Sequence, residues 1–159
     1  MSREETPKNS IEILSKEESI LNRIEENFGD SLEEKSIQCE RRIFIRIKRE
    51  SLLDLLRFLK DNWDYVHLST ITALDKGKDE DFQLIYHLVV DNVVLNVKVD
   101  VPKSEPKITT IKNAMRAAEF YEMEINDLFG ITFLGNEKKE RFILPDDWPE
   151  GVYPLRKDS

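Results

Sequence analysis

The sequence predicts an α+β fold: a mixed, mainly antiparallel sheet with helices packed on it, followed by an extended C-terminal tail. Three observations carry that expectation. Apolar residues recur at helical spacing in three stretches. Between them lie runs dense in β-branched residues, several with two-residue alternation. Past Leu144 all periodicity stops, and residues 145–159 are dense in Pro and Asp with Trp148, Tyr153 and Arg156 among them.

Residues 1–10 are polar and are expected to be disordered. A single domain is expected over residues 11–144. Its first element is an amphipathic helix, because Ile20, Leu21, Ile24 and Phe28 fall on one face of "SKEESILNRIEENFGD". Ser15 with Glu18 three positions on forms a capping box, and Gly29 suits a left-handed stop. The stretch "RRIFIRIK" alternates, with Ile43, Ile45 and Ile47 opposite Arg42, Phe44, Arg46 and Lys48, which predicts a half-buried strand. A second helix is expected from about Ser51 to Lys60, where Leu52, Leu55, Leu56 and Leu59 form a stripe and Asp54 supplies a first-turn acid.

The β-branched run from Tyr65 to Leu74 predicts a strand, and the charged "DKGKDED" behind it a solvated turn. A hairpin follows, since "FQLIYHLVV" and "VVLNVKVDV" flank Asp91 and Asn92, two residues that tolerate positive φ. Pro102 and Pro106 are expected to end that sheet. From about Thr109 to Asn126, Ile111, Met115, Ala118 and Met123 lie at helical spacing, and Gly130 is expected to terminate the helix. Two short strands joined by a charged turn are expected within "ITFLGNEKKERFIL".

The length of 159 residues suits one domain that buries a core without staples. A net charge of −8 opposes binding to a polyanion, so nucleic acid is not an expected partner. Lys and Glu dominate the charged set, a bias seen in proteins of hyperthermophiles. Cys39 stands alone, which excludes an internal disulfide and a thiolate-rich metal or cluster site and fits a reducing compartment. The first ten residues lack the apolar core of a signal peptide, and no stretch approaches the roughly 18 apolar residues of a membrane span. A soluble, cytosolic chain is expected, with any membrane contact made through partners.

Catalytic chemistry finds little purchase. "YEMEINDLFG" offers Glu122, Glu124 and Asp127, of which only Glu124 and Asp127 share a helical face. A solvated or salt-bridged helix end is the more frequent meaning of such a cluster. Because acids near a helix C-terminus oppose the macrodipole, a positive partner is expected close by, on this chain or another. His67 and His87 sit inside apolar runs with no third ligand at short spacing, which favours histidines of a sheet over a metal site. No nucleophile elbow, phosphate loop or dinucleotide fingerprint is present, and no catalysis by the isolated chain is expected.

The tail is different in kind. Pro149, Gly151 and Pro154 suit a fixed extended path, while Trp148, Tyr153 and Arg156 are residue types favoured at interface hot spots. Two readings of it stand side by side: a segment that docks on a partner, and a strap that caps its own domain.

"YEMEINDLFGITFLGN" together with "RFILPDDWPEGVYPLRKD" resembles the 30 kDa subunit family of respiratory complex I. That family includes the C-type subunits of NADH dehydrogenases and the corresponding subunit of membrane-bound energy-converting nickel-iron hydrogenases and sulfane reductases. The hairpin "YHLVVDNVVLNVKVDVP" also fits. The helix-end motif falls on Glu122, Glu124, Asp127, Leu128, Phe129, Gly130 and Ile131, with Met123 where the family usually has Arg. The usual glycine-histidine pair appears as Gly135 and Asn136. The tail motif falls on Pro145, Asp146, Asp147, Trp148, Gly151, Pro154, Leu155, Arg156, Lys157 and Asp158.

The resemblance implies a non-catalytic structural and assembly subunit, without a cofactor of its own, in the hydrophilic arm of a complex I-related ion-pumping complex. Its partners would be the large hydrogenase-like (49 kDa-type) subunit and the iron-sulfur small subunit, which would hold the iron-sulfur clusters and any nickel-iron centre. The motif residues, with Tyr153 as a further anchor, would form the partner interface, and residues 145–159 the docking tail. The place would be the cytoplasmic side of the cell membrane, peripherally. The end of the chain at "PLRKDS" and the Lys and Glu bias point towards an archaeal membrane-bound hydrogenase or sulfane reductase. The alternatives are a quinone- or methanophenazine-linked complex and, in another class, an independent acidic protein-binding module.

Overall fold

The computed structural model describes residues 15–137 and 140–157. The segment expected to be disordered and Asp158 lie outside them. Helix α1 (Lys16–Phe28) leads into strands β1 (Leu32–Cys39) and β2 (Arg42–Ile47), then helix α2 (Leu52–Asn62). Strands β3 (Val66–Asp75), β4 (Phe82–Val90) and β5 (Val93–Val101) follow, then β6 (Lys107–Thr109), helix α3 (Ala118–Phe129) and β7 (Thr132–Leu134). The main sheet has the order β1-β2-β5-β4-β3, and β6 pairs with β7 in a second, two-stranded sheet.

Every pairing in the main sheet is antiparallel except β2 with β5, which is parallel with Arg42 opposite Val94. The chain leaves β2 through α2 and returns to its flank only after the β3–β4–β5 meander. The turn between β4 and β5 is Asp91 and Asn92 at φ 44° and 71°, the two-residue form that matches strand twist. Alternation then sorts the two faces. Ile43, Ile45 and Ile47 of β2, Phe82, Leu84, Tyr86, Leu88 and Val90 of β4, and Val93, Leu95, Val97, Val99 and Val101 of β5 are buried in one cluster. The helices complete it with Ile20, Leu21 and Ile24 of α1, Leu52, Leu55, Leu56 and Leu59 of α2, and Ala118, Ile125 and Phe129 of α3. The opposite face is tied by polar side chains. Asn96 donates to the Ile43 carbonyl at 3.1 Å and meets His87 Nδ1 at 2.6 Å, while His87 Nε2 lies 3.0 Å from the Thr72 hydroxyl. Because the amide nitrogen of Asn96 is committed to Ile43, its oxygen is the atom that accepts from His87 Nδ1.

Several expected elements take another form. Gly29 does not stop α1 in a left-handed conformation; its φ of −51° continues into a short 3-10 turn. The Ser15–Glu18 capping box is present. Strand β1 escaped the pattern because it is an edge strand exposed on nearly every residue, with charges and two register shifts that suit an unpaired edge. The main sheet does end at the prolines, β5 stopping at Val101 before Pro102, while the residue after Pro106 opens β6, which pairs in parallel with β7 in the second sheet. The expected helix over 109–126 is shortened at its start, since residues 110–117 form turns and α3 begins at Ala118. Its C-terminal glycine behaves as expected, with Gly130 left-handed at φ 71° and its N–H on the Asn126 carbonyl. The second short strand expected near Phe142 is absent; residues 141–144 form a bend.

Candidate interaction site

The acids of "YEMEINDLFG" divide between interior and surface. Glu122 is fully buried. One carboxylate oxygen accepts from the Ile111 N–H at 2.9 Å; the other accepts from the Thr110 hydroxyl and from the Asn136 amide at 2.9 Å. Burial pushes its pKa up, against the downward pull of those three donors and the Lys112 charge. This carboxylate explains the late start of α3: it satisfies the turn at 110–111, which helical continuation would otherwise have to accommodate. Asn136 also donates to the Glu119 carbonyl, joining the end of the β7 loop to the first turn of α3.

Asp127 is also buried, and a single oxygen, Oδ2, accepts from three consecutive backbone amides: Phe142, Ile143 and Leu144, at 2.8, 2.7 and 3.1 Å. The counter-charge expected for this acid is therefore a nest of N–H dipoles. It bends residues 141–144 and prevents their pairing as a strand. A cation does serve the helix end, on the same chain: Arg156 Nε donates to the Phe129 carbonyl at 2.6 Å. Glu124 is exposed on the outer face of the helix.

Residues 145–157 run back over the domain. Arg156 stacks its guanidinium over the Phe82 and Tyr153 rings, 5.2 and 4.4 Å from the centroids. The Leu155 N–H donates to the Leu128 carbonyl at 3.2 Å, and the Lys157 N–H to Asp75 Oδ2 at 2.9 Å. Asp75, at the end of β3, also accepts from Gly77 N–H at 3.0 Å and pairs with Lys103 at 2.6 Å. Burial alone would raise the Asp75 pKa; the Lys103 ammonium and the two backbone donors outweigh it and hold the carboxyl below its usual range. Trp148 is half-buried in a loop closed on itself, its indole N–H on the Val152 carbonyl at 2.9 Å and its own N–H on the Pro145 carbonyl at 3.0 Å. Gly151 turns that loop at φ 74°. Pro145, Asp146, Asp147, Pro154 and Leu155 are exposed.

The two readings of the tail thus meet in one object. Its backbone is fastened to the domain, while Val152 and Leu155 remain outward. Sequence reasoning missed Asp75 as a tail holder, and it missed Phe120, Phe142 and Ile143, three exposed apolar residues beside the motif. The strand expected at 141–144 would have hidden part of that surface. Among the described residues no cluster of His, Cys, Asp or Glu is suited to a metal ion, and no helix is long and apolar enough to cross a membrane.

Comparison with known proteins places this geometry. The family described as "Respiratory-chain NADH dehydrogenase, 30 Kd subunit" matches residues 45–159. The chain is 30% identical to the membrane-bound hydrogenase subunit beta of Pyrococcus furiosus over 92% of its own length and 87% of that protein. It is 27% identical to the C-type subunit of the F(420)H(2) dehydrogenase of Methanosarcina mazei, over 88% and 89% of the two chains. A chain in the structure of the membrane-bound sulfane sulfur reductase, an archaeal respiratory membrane complex, superposes with a TM-score of 0.78 at 34% identity. That match covers 91% of this chain and 85% of the other.

Proposed function

Because the chain belongs to the respiratory-chain NADH dehydrogenase 30 kDa subunit family, we propose that it is a structural and assembly subunit in the hydrophilic arm of a complex I-related, redox-driven ion-pumping membrane complex. It docks on the large hydrogenase-like subunit beside the iron-sulfur small subunit, and the redox centres reside on those partners. It sits peripherally on the cytoplasmic side of the membrane. The observation that carries this reading is the tail. A segment whose backbone is held by Leu128 and Asp75 and whose Arg156 side chain is held by Phe129, yet which exposes Val152 and Leu155, is a pre-ordered contact element that binds with little further loss of entropy.

Similarity to the hydrogenase subunit and to the sulfane reductase chain supports an archaeal complex of one of those two kinds. The comparable similarity to the Methanosarcina protein supports the second reading, an equivalent place in a quinone- or methanophenazine-linked complex. Affinity purification of the tagged full chain from gently solubilised native membranes tests both. Co-purification of a large subunit with nickel-binding cysteines identifies the hydrogenase branch, and one without them a sulfur- or quinone-linked complex. Recovery of the chain alone overturns the subunit reading.

A further inference from the structure

The outward face of α3 carries Phe120, Met123 and Glu124, with Asp127 one turn further on the same side. Asp127 lays residues 142–144 along that face. The Phe120 and Phe142 rings meet there, 5.7 Å between centroids at 32°. Phe120 is 56% exposed, Phe142 41% and Ile143 52%, so two aromatic rings and a branched aliphatic side chain share one solvent-facing surface. Scattered exposed apolar residues need no explanation, whereas aromatics grouped and held in place mark a contact site.

Three acids border this surface, and its basic neighbour Arg141 is engaged by the Trp148 carbonyl. Glu124 lies one turn from Phe120, and Asp146 and Asp147 directly follow the pinned bend. All three are exposed, and among the described residues none of their carboxylates has an ion pair or hydrogen bond. Carboxylates left unpaired at the border of an apolar surface select a cationic rim opposite them. They also disfavour a second copy of this chain, because a two-fold contact sets each patch, with its acids, against itself.

On the reading that the chain is a subunit of a larger assembly, we propose that Phe120, Phe142 and Ile143 form a docking surface on α3 and the bend before the tail, with Asp146 and Asp147 at the start of the tail completing its rim, and that its occupant is a partner subunit presenting an apolar face rimmed by Lys and Arg. Asp127 is its positioning residue, since the same three hydrogen bonds that fix residues 142–144 bring Phe142 onto Phe120.

The test uses the tagged full chain in its native complex. A photo-crosslinking phenylalanine analogue at position 120 or 143 is expected to label one partner subunit, within a stretch of apolar residues bordered by Lys or Arg. The double variant Phe120→Ser with Phe142→Ser should lower co-recovery of that partner by about tenfold or more, while the melting temperature of the isolated chain stays close to wild type. The variant Glu124→Lys with Asp147→Lys should also lower co-recovery, and should abolish the loosening by salt expected for the wild-type contact. Cross-links that reach no partner, or only another copy of this chain, while the wild-type complex is intact, overturn this proposal and leave the subunit reading standing. So does undiminished assembly of the double variant. A wild-type chain recovered without partners overturns the subunit reading itself, and this proposal with it.

Discussion

The Tyr153 ring rests on the backbone of Gly130: a Cβ at position 130 would lie 2.5 Å from its Cζ, with two further ring carbons at 2.6 and 2.7 Å. The residue that ends α3 is therefore also the floor on which the tail lies. Gly130→Ala meets both constraints, a left-handed φ of 71° and the ring. The backbone cost alone is about 1–2 kcal/mol, and the ring must move as well. Thermal unfolding of the variant should report that loss. Hydrogen exchange should show the Leu155 amide, whose acceptor is the Leu128 carbonyl, protected in wild type and released in the variant.

Glu122 holds three donors with one buried carboxylate. Glu122→Ala leaves the Ile111 N–H, the Thr110 hydroxyl and the Asn136 amide without that acceptor, at a cost of about 3 kcal/mol. Glu122→Gln keeps one acceptor oxygen for Ile111 and sets its amide against Thr110 and Asn136, so it should fall between alanine and wild type. Its pH dependence also differs. A carboxyl whose folded pKa is raised favours the neutral form, so wild-type stability from this group declines as pH rises from about 4.3 through the raised value. The Gln variant lacks that decline, and its deficit should narrow with rising pH in urea titrations.

Asp127 is the acceptor for residues 142–144, and Asp127→Ala should free all three amides. The expected loss is about 2 kcal/mol, reduced because the bend reaches water. Asp127→Asn retains an acceptor and should lose less. Exchange rates at Phe142, Ile143 and Leu144 check this directly: fast in the alanine variant, intermediate in the asparagine variant, slow in wild type.

Asp75 gives the tail an acid-sensitive hold. Its folded pKa is depressed, so its contribution is present at neutral pH and is lost as pH falls below about 3.9 and through the lower folded value. Acid should therefore loosen the Lys157 end along with the Lys103 pair. Asp75→Asn should be less stable at neutral pH and show a shallower fall on acidification, measured by melting temperature against pH.

Much of the main sheet was legible because its core strands alternate or run apolar between turn residues, as Ile43, Ile45 and Ile47 do. The helices were legible from their stripes. What the pattern hid was governed by single polar atoms. Thr109 to Ala117 has helical spacing, but Thr109 pairs in β6 and the Glu122 carboxylate holds the turn at 110–111. Phe142 to Leu144 looks like a strand, but Asp127 takes the amides a ladder would need. Both carboxylates were visible as motif residues, and neither partner set lies within reach of a periodicity argument. Strand β1 was hidden for the opposite reason, since an edge exposed on both faces has no apolar side to repeat.

The parallel seam between β2 and β5 has a consequence in time. Arg42 pairs with Val94, so the seam closes a loop of about fifty residues, whereas β4 and β5 meet across two. The hairpin forms locally and fast; the seam waits for it. During synthesis, Ile43, Ile45 and Ile47 emerge well before the strand that will cover their flank. Until Val101 has left the ribosome this first third of the chain exposes an apolar strand face, and it is the segment most open to misassociation and to chaperones.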